Sequence, residues 1–357
     1  MKRLLALLVT AALGCAQSGG SVRAELPTAT QPELTPLLWR VEPPNGGSGG
    51  FFLFGSVHIG TPQMLDLGPT IADAYAQSEE LVVELDISKV TEGEIERLGQ
   101  RYSNLPDGQT LKDRLSPETY ALLERYLRSR GISPETVARN KPWLIAQMII
   151  LVEFQNAGFD LDLGVDRVFL DKAEGHKPVV GIETLESQMK MMDELPDSTQ
   201  ELMLKDALVR IDDLTGATRE LLDAWQRGDE DELMRLVFSP LREFPELSVY
   251  YDEVFFRRNV EMTEALEALT GDGKLRFVVL GAGHMIGERG IPTLLRARGY
   301  RVRQIGGSAA SSVPLKELLD QSGWARRHAG IDQSLRLVVG AARPVEGGVD
   351  SAGLAHE

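Results

Sequence analysis

Two of the chain's five histidines occupy the same place in two near-copies of one short phrase. The first copy reads Phe51-Phe52-Leu53-Phe54-Gly55-Ser56-Val57-His58-Ile59-Gly60. The second reads Phe277-Val278-Val279-Leu280-Gly281-Ala282-Gly283-His284-Met285-Ile286-Gly287. Each is an apolar run of strand type, a Gly-x-x-His turn and the approach to a helix. Imidazoles delivered by two matched turns are what a shared metal ion would use. Glycine beside them permits tight turns and close approach of a ligand, and strand exits are where α/β sheets build their sites. His176, His328 and His356 have no such context.

Carboxylates end two further apolar runs. Leu81-Val82-Val83-Glu84-Leu85-Asp86 places Glu84 and Asp86 on one strand face by its period of two. An acid there needs a cation, a hydrogen bond or an arginine partner. Val179-Val180-Gly181-Ile182-Glu183-Thr184 has the same form, although Glu183 could equally open the helix that starts at Thr184-Leu185-Glu186. Arg257-Arg258-Asn259 lies in a helix expected from about Leu247 to Leu269 with Val254, Phe255, Met262, Leu266 and Leu269 on its apolar face, and an arginine near that face could clamp a substrate carboxylate, polarise a carbonyl or merely neutralise Glu84. Two histidines and one or two carboxylates suit a divalent ion such as zinc, manganese, cobalt or iron(II). Such an ion would bring the pKa of a bound water toward neutrality.

Rival chemistries find little support. No Gly-x-Ser-x-Gly and no His-Glu-x-x-His occurs, and the single cysteine is Cys15. Gly281-Ala282-Gly283 begins like a dinucleotide fingerprint, but its third glycine falls at Gly287 rather than at 286, and the following strand reads Arg301-Val302-Arg303-Gln304 without an acid for a ribose hydroxyl.

The elements that must position these groups follow from the same patterns. Strands are expected at Leu38 to Val41, Gly50 to Phe54, Leu81 to Asp86, Lys177 to Ile182, Leu275 to Leu280 and Tyr300 to Ile305. Helices over Pro69 to Glu79 and Ile291 to Arg298 complete two related β-α-β halves. Between them, from about residue 112 to 270, the pattern is mainly helical, with Ser116-Pro117-Glu118 and Ser133-Pro134-Glu135 reading as helix starts. Trp143 to Val152 reads as a buried core helix between Lys141 and Glu153. The expected fold is α/β (α+β-like): a central sheet from both ends of the chain with a large helical insertion.

The net charge of −15 and the lack of a basic stripe argue against nucleic acid as a partner. Lys2 and Arg3 followed by the apolar stretch Leu4 to Leu13 read as a secretory signal. Ala12-Leu13-Gly14-Cys15 resembles a bacterial lipobox with its usual order swapped, while Val22-Arg23-Ala24 offers an ordinary cleavage site after residue 24. The segment 16–36 reads as a flexible tether, and 307–357 as a C-terminal extension, mostly disordered. An exported protein of the bacterial cell envelope is expected, periplasmic or held on the membrane by lipid on Cys15.

Taken together these motifs resemble the TraB/PrgY/GumN family, which includes the Tiki metalloproteases. The resemblance rests on the two Gly-x-x-His motifs, Glu84 to Asp86, Gly164-Val165-Asp166, Gly181 to Thr184 and Arg258-Asn259, and spans roughly Leu37 to Gly306. It implies metal-dependent hydrolysis of a peptide or other small substrate, with His58, Glu84 and His284 as metal ligands and Glu84, Glu183 and Arg258 as catalytic groups. Manganese, cobalt or zinc would be the ion. Similar folds that bind haem or cleave esters keep open a rival, a non-catalytic haem- or metal-binding lipoprotein. The N-terminal reading has its own test in the intact mass of the exported protein. A lipidated mature chain starting at Cys15 is expected, and a soluble one starting at Glu25 would remove the lipid anchor.

Overall fold

A computed structural model of the chain describes residues 37–305. The signal, the tether, Cys15, the cut after residue 24 and the extension 307–357 lie outside the described residues. Six strands form one mixed sheet: β1 (Leu38–Glu42), β2 (Gly50–Ser56), β3 (Glu80–Leu85), β4 (Val179–Glu183), β5 (Leu275–Gly281) and β6 (Arg301–Gln304). Their order across the sheet is β4-β3-β5-β2-β1-β6. The α/β fold expected from the sequence is the one observed, with helices far outnumbering strands.

The two phrases that share a motif are direct neighbours. β2 and β5 run parallel at the sheet centre, pairing Phe54 with Val279, Gly55 with Leu280 and Ser56 with Gly281. All seven residues of β2 are buried, as an unbroken apolar run in a parallel strand covered on both faces should be. From these two strands the chain departs in opposite directions. After β2 it passes through the helix Gly68–Gln77 and crosses β5 to reach β3; after β5 it passes through Ile291–Ala297 and crosses β2 and β1 to reach β6. The two halves therefore interlock, and the strand order reverses between β2 and β5. Such a reversal opens a crevice at the carboxyl ends of the strands, where both Gly-x-x-His turns begin.

Close packing explains several glycines of these turns. A Cβ on Gly55 would lie 3.1 Å from Met285 Cγ and 3.3 Å from Ala282 Cα, so the second turn sits directly over the first strand. A Cβ on Gly283 would lie 2.5 Å from a ring carbon of Phe255. On the opposite flank, Gly60 and Asp160 exchange two backbone hydrogen bonds of 3.0 Å, and Val165 N donates to Val57 O at 2.9 Å. Those bonds seat the helix Val165–Ala173 against the first turn.

The helical stretch departs from the sequence reading in three places. A helix over Glu92–Tyr102 precedes its expected start; Thr91 caps it and Ile95, Leu98 and Tyr102 form its buried stripe. Ser133-Pro134-Glu135 opens only the single tight turn Pro134–Thr136. The long helix from Leu247 is not continuous: Ser248–Tyr251 leads into a wide π-turn, Asp252–Arg257, before Arg258–Ala268 resumes α geometry. The extra residue of a π-turn rotates everything after it. Hence Arg258, Asn259, Met262, Thr263 and Leu266 face the interior, whereas Leu269 is only half-buried.

The core helix Pro142–Asn156 is buried as expected. Its Glu153 is nine-tenths buried yet satisfied, with Arg130 Nη2 at 2.7 and 2.6 Å from its two oxygens and the Tyr126 hydroxyl donating at 2.8 Å. No helix among the described residues is long and apolar enough to cross a membrane. Trp225, from the helix Leu214–Gln226, edges against Phe54 and donates its indole N–H to Gly55 O at 2.8 Å, pinning the insertion to the first motif. Trp225→Phe keeps the ring and strands that carbonyl. A loss of about 1–3 kcal/mol is expected, read as a lower urea midpoint at an unchanged slope.

Candidate functional site

Glu84, Glu183 and Arg258 are locked together. Arg258 Nε donates to Glu183 Oε1 at 2.8 Å, and its Nη2 reaches Glu183 Oε2 at 2.7 Å and Glu84 Oε2 at 2.8 Å. Its remaining Nη1 donates to Val254 O at 3.1 Å. The three side chains come from β3, the end of β4 and the first residue after the π-turn. Burial alone would lower the arginine's pKa, but two carboxylates hold it above its ordinary value. Glu84 is likewise buried, which would raise its pKa; His284, Arg258, His58 and the Gly281 amide together pull it below the carboxylate range. Glu183 also accepts from Gln188 Nε2 at 2.7 Å. Four of the five Arg258 N–H donors are thus committed to the protein, two of them to Glu183 and one to Glu84, which it neutralises.

The free oxygen of Glu84 points into the crevice, where it accepts from Gly281 N–H at 2.6 Å. Around this glycine the sequence-predicted metal ligands meet. A Cβ on residue 281 would stand 3.2 Å from Glu84 Oε1, 3.4 Å from His58 Nε2 and 3.5 Å from His284 Cδ2. His284 Nε2 lies 3.8 Å from Glu84 Oε1. The residue brought in from a distant turn by each Gly-x-x-His motif thus shares one point with the strand-end glutamate.

Each histidine is steered by a partner that the sequence reading left without a role. His284 Nδ1 is 2.6 Å from Asn259 Oδ1, and Asn259 Nδ2 donates to Arg289 O at 2.8 Å. With its amide fixed that way, Asn259 presents an acceptor, so His284 carries its proton on Nδ1 and leaves Nε2 with a lone pair. His58 Nδ1 is 3.2 Å from Asp166 Oδ2, in the first turn of the helix seated by Gly164, where a Cβ would lie 2.6 Å from His58 O. Both partners stood in matched motifs, Gly164-Val165-Asp166 and Arg258-Asn259; the signal was there, but their contacts are tertiary. Asp86, placed on the same strand face as Glu84 by the period of two, accepts from Ser88 N at 3.2 Å and pairs with Lys89 at 2.7 Å, closing the turn after β3.

The donor set suits a divalent cation in kind. His284 Nδ1 is held by an oxygen acceptor and His58 Nδ1 stands within ion-pair range of one, support of the kind usual around metal-bound histidines, leaving each Nε2 for the ion. Among the described residues, however, no group of three or more His, Cys, Asp or Glu side chains is drawn together as a metal-binding cluster. Glu84 meanwhile accepts from Gly281 N–H and from Arg258.

The two imidazoles differ in charge. Burial lowers the pKa of His58, but the carboxylates of Asp166 and Glu84 reverse this and bring it to about 9. For His284 burial dominates, and with Arg258 and His58 nearby its pKa falls to about 3. The raised His58 pKa stabilises the fold fully below the unfolded value of about 6.5 and loses that contribution as pH rises through about 9. The lowered His284 pKa works oppositely: stability is lost as pH falls from about 6.5 toward about 3. Nitrogen-15 NMR of the metal-free protein should show His58 as an imidazolium at pH 7 and His284 as the neutral Nδ1–H tautomer. Two histidines titrating together at their ordinary pKa would contradict this geometry.

The TraB/PrgY/gumN family matches residues 37–304. The uncharacterized protein YbaP of Escherichia coli (strain K12) is 28% identical over 255 residues, covering 70% of this chain and 89% of the relative. Metalloprotease TIKI2 of Danio rerio is 24% identical over 360 residues, covering 84% of this chain and 65% of the relative. Metalloprotease TIKI1 of Homo sapiens is 23% identical over 358 residues, covering 84% and 67% respectively. No solved structure matches the chain. With the match covering both Gly-x-x-His motifs and every strand of the sheet, the chain belongs to the TraB/PrgY/gumN family.

Proposed function

We propose that this protein is a metal-dependent hydrolase acting on peptide bonds, with a divalent cation held by His58, Glu84 and His284. The observation that carries the reading is the convergence of those three side chains on Gly281, at the strand-order reversal. Distant relatives named metalloproteases support it. When bound, the cation would supply Lewis acidity and an easier deprotonation of water at the site. Manganese, cobalt and zinc all suit such mixed nitrogen and oxygen donors.

The chain's own residues do the rest. Arg258 keeps Glu84 ionised, so Glu84 can accept a proton from a water or hold the cation. Glu183 orients Arg258 and reaches Glu84 only through it, which makes both positioning residues in this reading. Asn259 fixes the His284 tautomer, and Asp166 aims His58. Export to the cell envelope, read from the N-terminal segment, belongs to the same proposal.

The test is metal-stripped protein reloaded with manganese, cobalt or zinc and given a peptide library. His58→Ala and His284→Ala should abolish metal-dependent cleavage, and Glu84→Gln should cut turnover by about 10²-fold or more. Because binding through His58 displaces a proton below about pH 9, metal affinity should rise up to about tenfold per pH unit toward that value. Full activity in chelator would remove the cation from the mechanism. Tight haem binding without turnover would replace the hydrolase with a binding protein.

A further inference from the structure

The walls above the reacting groups differ sharply from the floor. An open cleft of about 1030 Å³ has His58, Glu84, Arg258 and His284 at its base. Its sides come from several helices of the insertion and include Phe154, Leu221, Leu233, Val237, Val254 and Phe255. Most of these are only half-buried, so their apolar surface remains open to whatever enters. Apart from Arg258, no Lys or Arg among the described residues lines this cleft, and Arg258 is already bonded to two carboxylates and a carbonyl. Apart from Glu84, no acid lines it either. Against the helical walls, away from His58 and Glu84, a charged substrate group would lose its water and gain no charged partner, which is costly. An apolar side chain would gain from burial against these walls.

We infer that the cleft selects a peptide segment with a large, uncharged, apolar side chain next to the bond to be cut, held by the wall formed by Leu221, Val237, Val254 and Phe255. This rests on the hydrolase reading for its chemistry, but not for its binding. The occupant is the substrate, because the wall rises directly from the groups that would react.

The experiment uses the full-length mature protein and peptides acetylated at the N-terminus and amidated at the C-terminus, so that terminal charges play no part. Pools carrying Phe or Leu at one central position are compared with pools carrying Asp or Lys there. Binding is measured by calorimetry on metal-free protein, and cleavage after manganese, cobalt or zinc is restored. The Phe and Leu pools should bind at least about tenfold tighter, the discrimination that an apolar pocket of this kind provides. Val237→Asp and, on another helix, Leu221→Lys should each erase that preference; both residues lie outside the reacting cluster, and the thermal midpoint reports whether each variant folds. Equal binding of all four pools overturns the inference. Cleavage without preference overturns it while leaving the hydrolase reading intact. Preferential binding of Phe and Leu without any cleavage supports it and removes the hydrolase.

Discussion

Everything at the head of this sheet depends on keeping one guanidinium between two carboxylates. Glu84 and Glu183 end neighbouring parallel strands, and Arg258 approaches them from a helix far along the chain. Burying any of the three alone would cost several kcal/mol, and removing one partner from such a set typically costs about 3–5 kcal/mol. The sheet and the insertion are therefore tied at the one place where a mistake in register would leave a buried charge uncompensated. The same tie contributes to the polarity of the crevice, since Arg258 joins His284, His58 and the Gly281 amide in holding Glu84 as an anion.

Two turns with one spelling perform unlike tasks. The first motif delivers an imidazole that is partly exposed and paired to a carboxylate; the second delivers one that is buried and paired to a neutral amide. At His58 the carboxylates of Asp166 and Glu84 outweigh burial, whereas at His284 burial prevails. Sequence symmetry here gives a shared geometry, and the helical insertion breaks the electrostatic symmetry by presenting a different partner to each ring. A site with one cationic and one neutral imidazole can hold and release a proton at one side while offering a lone pair at the other.

Much of this was legible in the residues themselves. The unbroken apolar runs at Phe51 to Phe54 and Phe277 to Leu280 read correctly as central strands, because nothing else buries so many large side chains in so few positions. His58, Glu84 and His284 were legible as a group since each closes such a run. What could not be read was which polar residue answers which: Asp166 is brought to His58 by backbone pairing of Gly60 with Asp160, across about a hundred residues of chain. The commitment of Arg258 to two acids was similarly hidden, since a lone arginine on a helix face fits several roles. The π-turn at Asp252–Arg257 escaped because a regular periodicity was assumed over a stretch whose composition does not forbid one.

That π-turn has a consequence for how the protein could change over generations. A wide turn of this type equals one residue added to an ordinary helix. Deleting a single residue from Asp252 to Arg257 would let the helix regain uniform hydrogen bonding, a local gain. Because the wide turn absorbs that residue, Arg258 and Asn259 would keep nearly their present bearing toward the acids and His284. What such a deletion would disturb is the widened turn itself, whose Val254 carbonyl accepts from Arg258 Nη1 and whose Phe255 ring packs beside His284.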